Sequence, residues 1–157
     1  TQKYLNIFAG KTIDEVEEYF GEIAEKMTGD FNPLVIERMK QHKQNGDYIM
    51  VVSGAYQPLL EMALAGLPVD KIIGTEIPVQ DNYINPETSI DHVQAERKSE
   101  LILESLQDKT IDWACSYAYG DSTADLPVLE MVGHPVAVCP DVALQDIVNK
   151  KDWTIVC

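Results

Sequence analysis

The sequence predicts an α/β protein built on a parallel sheet with helices on both faces, and three observations carry that prediction. Short apolar runs rich in β-formers recur along the 157 residues: 48–52, 71–75, 113–119, 135–139 and 153–156. Helical periodicities separate them, and repeated strand–helix alternation implies parallel strands joined by crossover helices. Turn residues (Asn45-Gly46, Gly66, Gly133) mark the joints.

Thr12 and Glu15 form a possible capping box ahead of Ile13, Val16, Phe20, Ile23 and Met27, which share one helical face. A helix over 12–27 with an acidic outer face is expected. Asn32 and Pro33 read as N-cap and first helical residue of a second helix, stopped at Asn45-Gly46. The run 48–52 reads as a strand buried on both faces, 57–65 as a helix, and 71–75 as a strand. Residues 76–94 are polar, with turn signals at Asp81-Asn82 and Asn85-Pro86, and predict an irregular excursion or a hairpin. A helix over 95–106 precedes the strand 113–119, and a further helix ends near Gly133. After the strand 135–139, Asp141 caps a last helix, and 153–156 closes the chain as a strand.

Composition narrows the functions available. A hydrophobic share of 45% and a charged share of 24% are those of a globular domain. No apolar run approaches the roughly 20 residues of a membrane span. The formal net charge of −14 argues against nucleic acid and anionic membrane surfaces as partners. Cys115, Cys139 and Cys157 are an odd number without close spacing, so a disulfide framework or zinc site is not expected. A reducing cytoplasm follows as the simplest location, with Cys139 as inert core. His42, His92 and His134 lack metal spacing. Trp113, Tyr117 and Trp153 fit strand packing. Nothing in the sequence specifies an oligomeric state.

In parallel sheets ligands bind beyond the C-terminal strand ends. That rule selects Ser53-Gly54-Ala55, Gly120-Asp121-Ser122 and Cys139-Pro140-Asp141. Asp121 at a strand tip is free to bind a hard cation, and Asp125 one helical turn on can reach back towards it. Those acids also suit plain helix capping. The hydroxyl of Ser53 and the backbone N–H groups around Gly54 can hold a phosphoryl oxygen, although on sequence alone a plain Ser-Gly turn is the more common origin of such a pair. Lys98 sits in the first turn of its predicted helix, an unfavourable position beside the helix dipole, so it is either solvated or held by an anion.

Taken in order, an apolar strand ending in Ser53, the helix-start Lys98, and a strand running into Gly120-Asp121-x-x-x-Asp125-Leu126-Pro127 resemble the second, third and fourth motifs of the haloacid dehalogenase superfamily. IIGTEI and VGHPVAVCPD around them are similar to its phosphoserine-phosphatase-like branch. The resemblance covers nearly the whole chain. It implies a three-layer Rossmann-like core over 32–157, with 1–31 the remainder of a small helical cap. It also implies a Mg²⁺-dependent phosphomonoester hydrolase working through a phospho-aspartyl intermediate on a small phosphorylated substrate. Ser53 and Gly54 would bind phosphoryl oxygens, and Lys98 would offset charge on nucleophile and phosphate. Asp121 would ligate Mg²⁺, and Asp125 would orient Lys98 or a metal-bound water. All of these are expected to converge on one phosphoryl group.

The sequence departs from that pattern in three ways. No Asp-x-Asp, the family's nucleophile motif, occurs in it, so these residues alone are expected to be inert. Its only arginines are Arg38 and Arg97, outside the expected cap, and Ala124 replaces an asparagine common in phosphoserine phosphatases. Phosphoserine is therefore a doubtful substrate, and another small phosphomonoester or a phospholipid head group fits as well. A non-catalytic relative and a receiver-like phosphoacceptor domain are the rival readings. The family's first strand lies between those ending at Ser53 and Asp121, and without it two apolar edges would be exposed. With no initiator Met at Thr1, the chain is expected to derive from a longer product. The reading frame upstream of Thr1 should encode an apolar strand followed by Asp-x-Asp. Translating that frame and finding neither would overturn the expectation.

Overall fold

The computed structural model describes residues 11–84 and 95–157, arranged as two compact units that divide between Val93 and Gln94. The first unit opens with helix α1 (Ile13–Asp30). Thr12 caps it, its hydroxyl accepting from the Glu15 N–H at 3.3 Å, and Asp14 and Glu15 place negative charge at the positive end. Val16, Phe20 and Ala24 recur every fourth residue, so one stripe of α1 faces inward. That stripe packs on Leu59 and Ala63 of α3 (Gln57–Ala63). Helix α2 (Pro33–Gln44) starts where expected, with the Asn32 side chain accepting from the Leu34 N–H at 2.9 Å.

Strand β1 (Met50–Tyr56) pairs in parallel with β2 (Lys71–Thr75). β1 is only half-buried, not enclosed on both faces as its apolar composition predicts, and β2 is its one partner among the described residues. It also runs on through Ser53 to Tyr56 instead of ending at the serine. The register runs Val52↔Ile73 and then Tyr56↔Thr75, so β1 spends four steps where β2 spends two. Ser53, Gly54 and Ala55 therefore form a bulge. The polar excursion begins as a hairpin, β3 (Val79–Gln80) and β4 (Tyr83–Ile84), turned by Asp81 and Asn82 at φ 51° and 65°. Its remainder, 85–94, lies outside the described residues, as do residues 1–10 of the expected cap.

The second unit begins with α4 (Ala95–Ser105). The expected strand 113–119 divides: Trp113–Cys115 is a 3-10 turn, and only Tyr117–Gly120 is strand, β5. Asp112 causes the break, because its carboxylate accepts from the Cys115 N–H at 3.2 Å and holds the turn. The expected helix before Gly133 is likewise shorter, a 3-10 turn Thr123–Asp125 followed by α5 (Leu126–Leu129). Strands β6 (His134–Val138) and β7 (Thr154–Val156) follow, joined by α6 (Val142–Lys151). The parallel sheet order is β5-β6-β7, so β5 has one partner among the described residues. Ala118, Leu129, Ala137, Leu144 and Val148 make the core. Tyr117 is half-exposed and stacks on His134, with ring centroids 4.5 Å apart.

Cys139 is bonded to Cys157, across 18 residues of sequence. This corrects the expectation of inert, unpaired cysteines: an odd count in sequence does not exclude one pair that the sheet brings together. Cys139 leaves β6 in a left-handed conformation (φ 39°) and donates its N–H to the Val156 carbonyl at 2.9 Å, which sets it beside the strand preceding Cys157. The premise from which a reducing compartment was inferred does not hold for these two residues.

Cys115 is exposed, and Asp112 raises its thiol above the usual value, first through a hydrogen bond and then through its charge. Raising a thiol pKa lowers the thiolate fraction at neutral pH, and the thiolate is the form that alkylates. Iodoacetamide should therefore modify one thiol per chain in the unreduced protein, slowly near pH 7 and faster as pH rises. Asp112→Asn should accelerate that reaction at pH 8, and reduction should release two further thiols. Three thiols reactive without reductant, counted by intact mass, would be the contrary result.

Candidate active site

Strand β5 delivers Gly120 and Asp121 at its C-terminal end, and the 3-10 turn brings Asp125 back over them. The Asp125 carboxylate is held by both oxygens. Oδ1 accepts from Lys98 Nζ at 2.7 Å, and Oδ2 accepts from the Asp121 backbone N–H at 3.1 Å. The two side chains are mostly buried, Lys98 at 14% and Asp125 at 17% exposure, so solvent screens their ion pair weakly. This anion answers the poor placement of Lys98 in the first turn of α4. It also shows what Asp125 does locally: Ser122 makes no side-chain cap, and Asp125 is committed to Lys98 and Asp121 instead of to the helix end.

Gly120 is required by the same carboxylate. A Cβ built there would lie 2.5 Å from Asp125 Cβ and 2.9 Å from its Cγ. Asp121 is exposed, while its backbone is fastened on both sides, by Asp125 and by an Asp141 N–H that donates to its carbonyl at 3.0 Å. Asp141 meanwhile caps α6 through the Leu144 N–H at 2.9 Å. The third predicted strand end thus braces the second.

In the first unit, the half-buried Ser53 accepts from the Ala55 N–H at 3.1 Å, and the exposed Gly54 lends its carbonyl to the Thr75 hydroxyl at 2.9 Å. The structure therefore brings Lys98, Asp121 and Asp125 together within the second unit and Ser53 and Gly54 together within the first. Thr75 escaped the sequence reading because a threonine closing an apolar strand is ordinary β composition. Gly120 was visible as part of Gly-Asp, but the side chain it must admit comes from five residues on.

Among the described residues, no group of three or more His, Cys, Asp and Glu is placed to hold a metal. Asp121 offers one exposed carboxylate on a fastened backbone. That fits Mg²⁺, which commonly takes one or two protein carboxylates with water and substrate oxygens, and it does not fit a closed zinc-type site.

A parallel α/β framework whose strand-end loops hold these groups matches a known family. Residues 1–130 match the model of haloacid dehalogenase-like hydrolases, and the chain belongs to that family. It is 27% identical over 150 residues to a protein of Streptomyces azureus named for inhibition of morphological differentiation, spanning 93% of this chain and 53% of that one. It is also 27% identical over 150 residues to a histidinol-phosphatase of Neisseria meningitidis serogroup C, spanning 90% of this chain and 66% of the relative. Among solved structures, a substrate-bound phosphoserine phosphatase superposes with a TM-score of 0.68 at 20% identity, covering 98% of this chain and 69% of that one. That likeness is one of fold. The chain spans about half to two thirds of the length of the curated relatives it matches. No helix among the described residues is long and apolar enough to cross a membrane.

Gly120→Ala should force Asp125 off Lys98 and the Asp121 amide and cost about 1–3 kcal/mol of stability, as overpacking does. In an Asp125→Gly background the same change should cost much less, because both the Cβ and the carboxylate that a side chain at 120 would meet are gone. Denaturant unfolding of the four proteins measures this coupling, and equal costs in both backgrounds would contradict the described contact.

Proposed function

We propose that this chain supplies most of the catalytic groups of a Mg²⁺-dependent phosphomonoester hydrolase that works through a phospho-aspartyl intermediate. The observation that carries the reading is the Asp125 carboxylate shared by Lys98 Nζ and the Asp121 amide at the end of β5. Phosphoryl transfer needs chiefly positioned positive charge, and an ammonium held by a mostly buried carboxylate is fixed in place. Lys98 would offset charge on the phosphate and on the attacking group, with Asp125 setting its position. Ser53 and Gly54 would hydrogen-bond phosphoryl oxygens, and Asp121 would hold the metal ion. Mg²⁺, when bound, supplies local positive charge against a molecular net charge of −14. The attacking aspartate is not among the 157 residues, which contain no Asp-x-Asp, so the reading assigns it to a segment outside them.

A small helical cap including residues up to 31, set against a core from 32 onward, would govern substrate entry. The substrate is proposed as a small phosphomonoester without a carboxylate to be recognised by a cap arginine. Arg97 is engaged by Glu100 and Glu104 of its own helix, at 3.1 and 3.4 Å, and Arg38 lies on α2. The histidinol-phosphatase relative makes amino-alcohol phosphates a sensible start for a panel.

The full-length gene product with Mg²⁺ should release phosphate from at least one member of a broad phosphomonoester panel. Lys98→Met and Asp121→Asn should each lower the rate by about 10²-fold or more, the scale of losing one electrostatic stabiliser. Chelating the metal should do the same. Absence of release across the panel would favour a non-catalytic relative, and stable aspartyl phosphorylation by acetyl phosphate without turnover would favour a receiver-like role.

A further inference from the structure

The bulge in β1 carries more organisation than a Ser-Gly turn needs. The peptide unit joining Gly54 to Ala55 is held at both ends. Its carbonyl accepts from Thr75 Oγ1 at 2.9 Å, and its N–H donates to Ser53 Oγ at 3.1 Å. All peptide bonds described are trans, so the carbonyl and N–H point in opposite directions and two such anchors stop the plane from rotating. Thr75 is fully buried at the end of β2, where a ligand cannot touch it.

The strand end bearing Thr75 is itself fastened. Gln57, the first residue of α3, takes the Gly74 N–H on its Oε1 at 2.6 Å and donates from Nε2 to the Ile72 carbonyl at 3.2 Å. A side-chain amide thus fills backbone positions of β2 close to where the register of β1 shifts. The same Nε2 reaches Glu61 Oε1 at 3.0 Å, one helical turn along α3.

Chemistry follows from the direction of these bonds. A hydroxyl oxygen that accepts from the Ala55 N–H keeps its own proton to donate elsewhere. Rotating the Gly54–Ala55 peptide would withdraw that N–H and let the Ser53 side chain leave its rotamer. We propose that Thr75 is a positioning residue for the phosphoryl-binding loop: by anchoring the Gly54 carbonyl it fixes the Gly54–Ala55 peptide and aims the Ser53 hydroxyl at a phosphoryl oxygen. This inference rests on the reading of Ser53 and Gly54 as phosphate-binding, and the test separates the two.

Inorganic phosphate, with Mg²⁺ present, serves as the probe for the full-length gene product. Thr75→Val keeps the side-chain shape and removes the donor. It should weaken phosphate binding by about tenfold, the upper end of what one neutral hydrogen bond contributes. Thr75→Ser, which keeps the hydroxyl, should bind within about twofold of wild type. In a Ser53→Ala background, Thr75→Val should add little, because its effect travels through the serine. Thr75→Val should also speed hydrogen exchange at the Ala55 amide by about tenfold, with core amides of α1 and α3 unchanged. Unchanged affinity in Thr75→Val, equal losses in Val and Ser variants, or full additivity with Ser53→Ala would each overturn the proposal. If wild type does not bind phosphate, the phosphate-binding reading of the loop fails. The Ala55 exchange rate then decides alone whether Thr75 fixes the peptide, and an unchanged rate overturns it.

Discussion

The Asp125 carboxylate is divided between a lysine ammonium and a backbone amide, and that division shapes the loop after β5. A carboxylate bonded only to Lys98 could swing with the long side chain. One bonded only to the Asp121 N–H would leave a mostly buried lysine without its counter-charge, a costly arrangement. With both bonds made, at 2.7 and 3.1 Å, α4 and the end of β5 are joined through a single residue. The exposed Asp121 side chain inherits its direction from this arrangement, as does the Asp141 turn behind it.

Much of this organisation was legible in the sequence because it rests on local rules. Thr12, Asn32 and Asp141 cap the helices whose first residues they precede, each through a side-chain oxygen accepting from a backbone N–H. The stripe Val16, Phe20, Ala24 and the turn Asp81-Asn82 follow periodicity and backbone permissiveness alone. Other features needed contacts distant in sequence. Asp112 breaks the apolar run 113–119 by capturing the Cys115 amide, an effect a hydropathy pattern does not carry. In the Ser53–Ala55 bulge the Gly54 carbonyl accepts from Thr75, 21 residues away, and Cys139 meets Cys157 where parallel pairing of β6 with β7 sets their ends side by side. Family motifs located the polar residues at strand ends, and the hydrogen bonds among them came only with coordinates.

The two parallel sheets share a further property. β1 is bonded only to β2 and β5 only to β6 among the described residues, and neither strand has the continuous burial expected of a sheet interior. Both carry an apolar composition suited to enclosure. Local composition thus describes the environment for which a strand is made, and the pairing among the described residues accounts for one side of each.

Gly120 has a consequence for how this loop can change over time. Any side chain at 120 occupies the volume of the Asp125 carboxylate, so substitutions at these two positions are epistatic. A lineage that acquires a side chain at 120 has displaced the acid, and reverting 120 alone becomes advantageous only while Asp125 persists. A glycine at 120 is therefore the condition on which Asp125 of this chain holds its lysine in this manner.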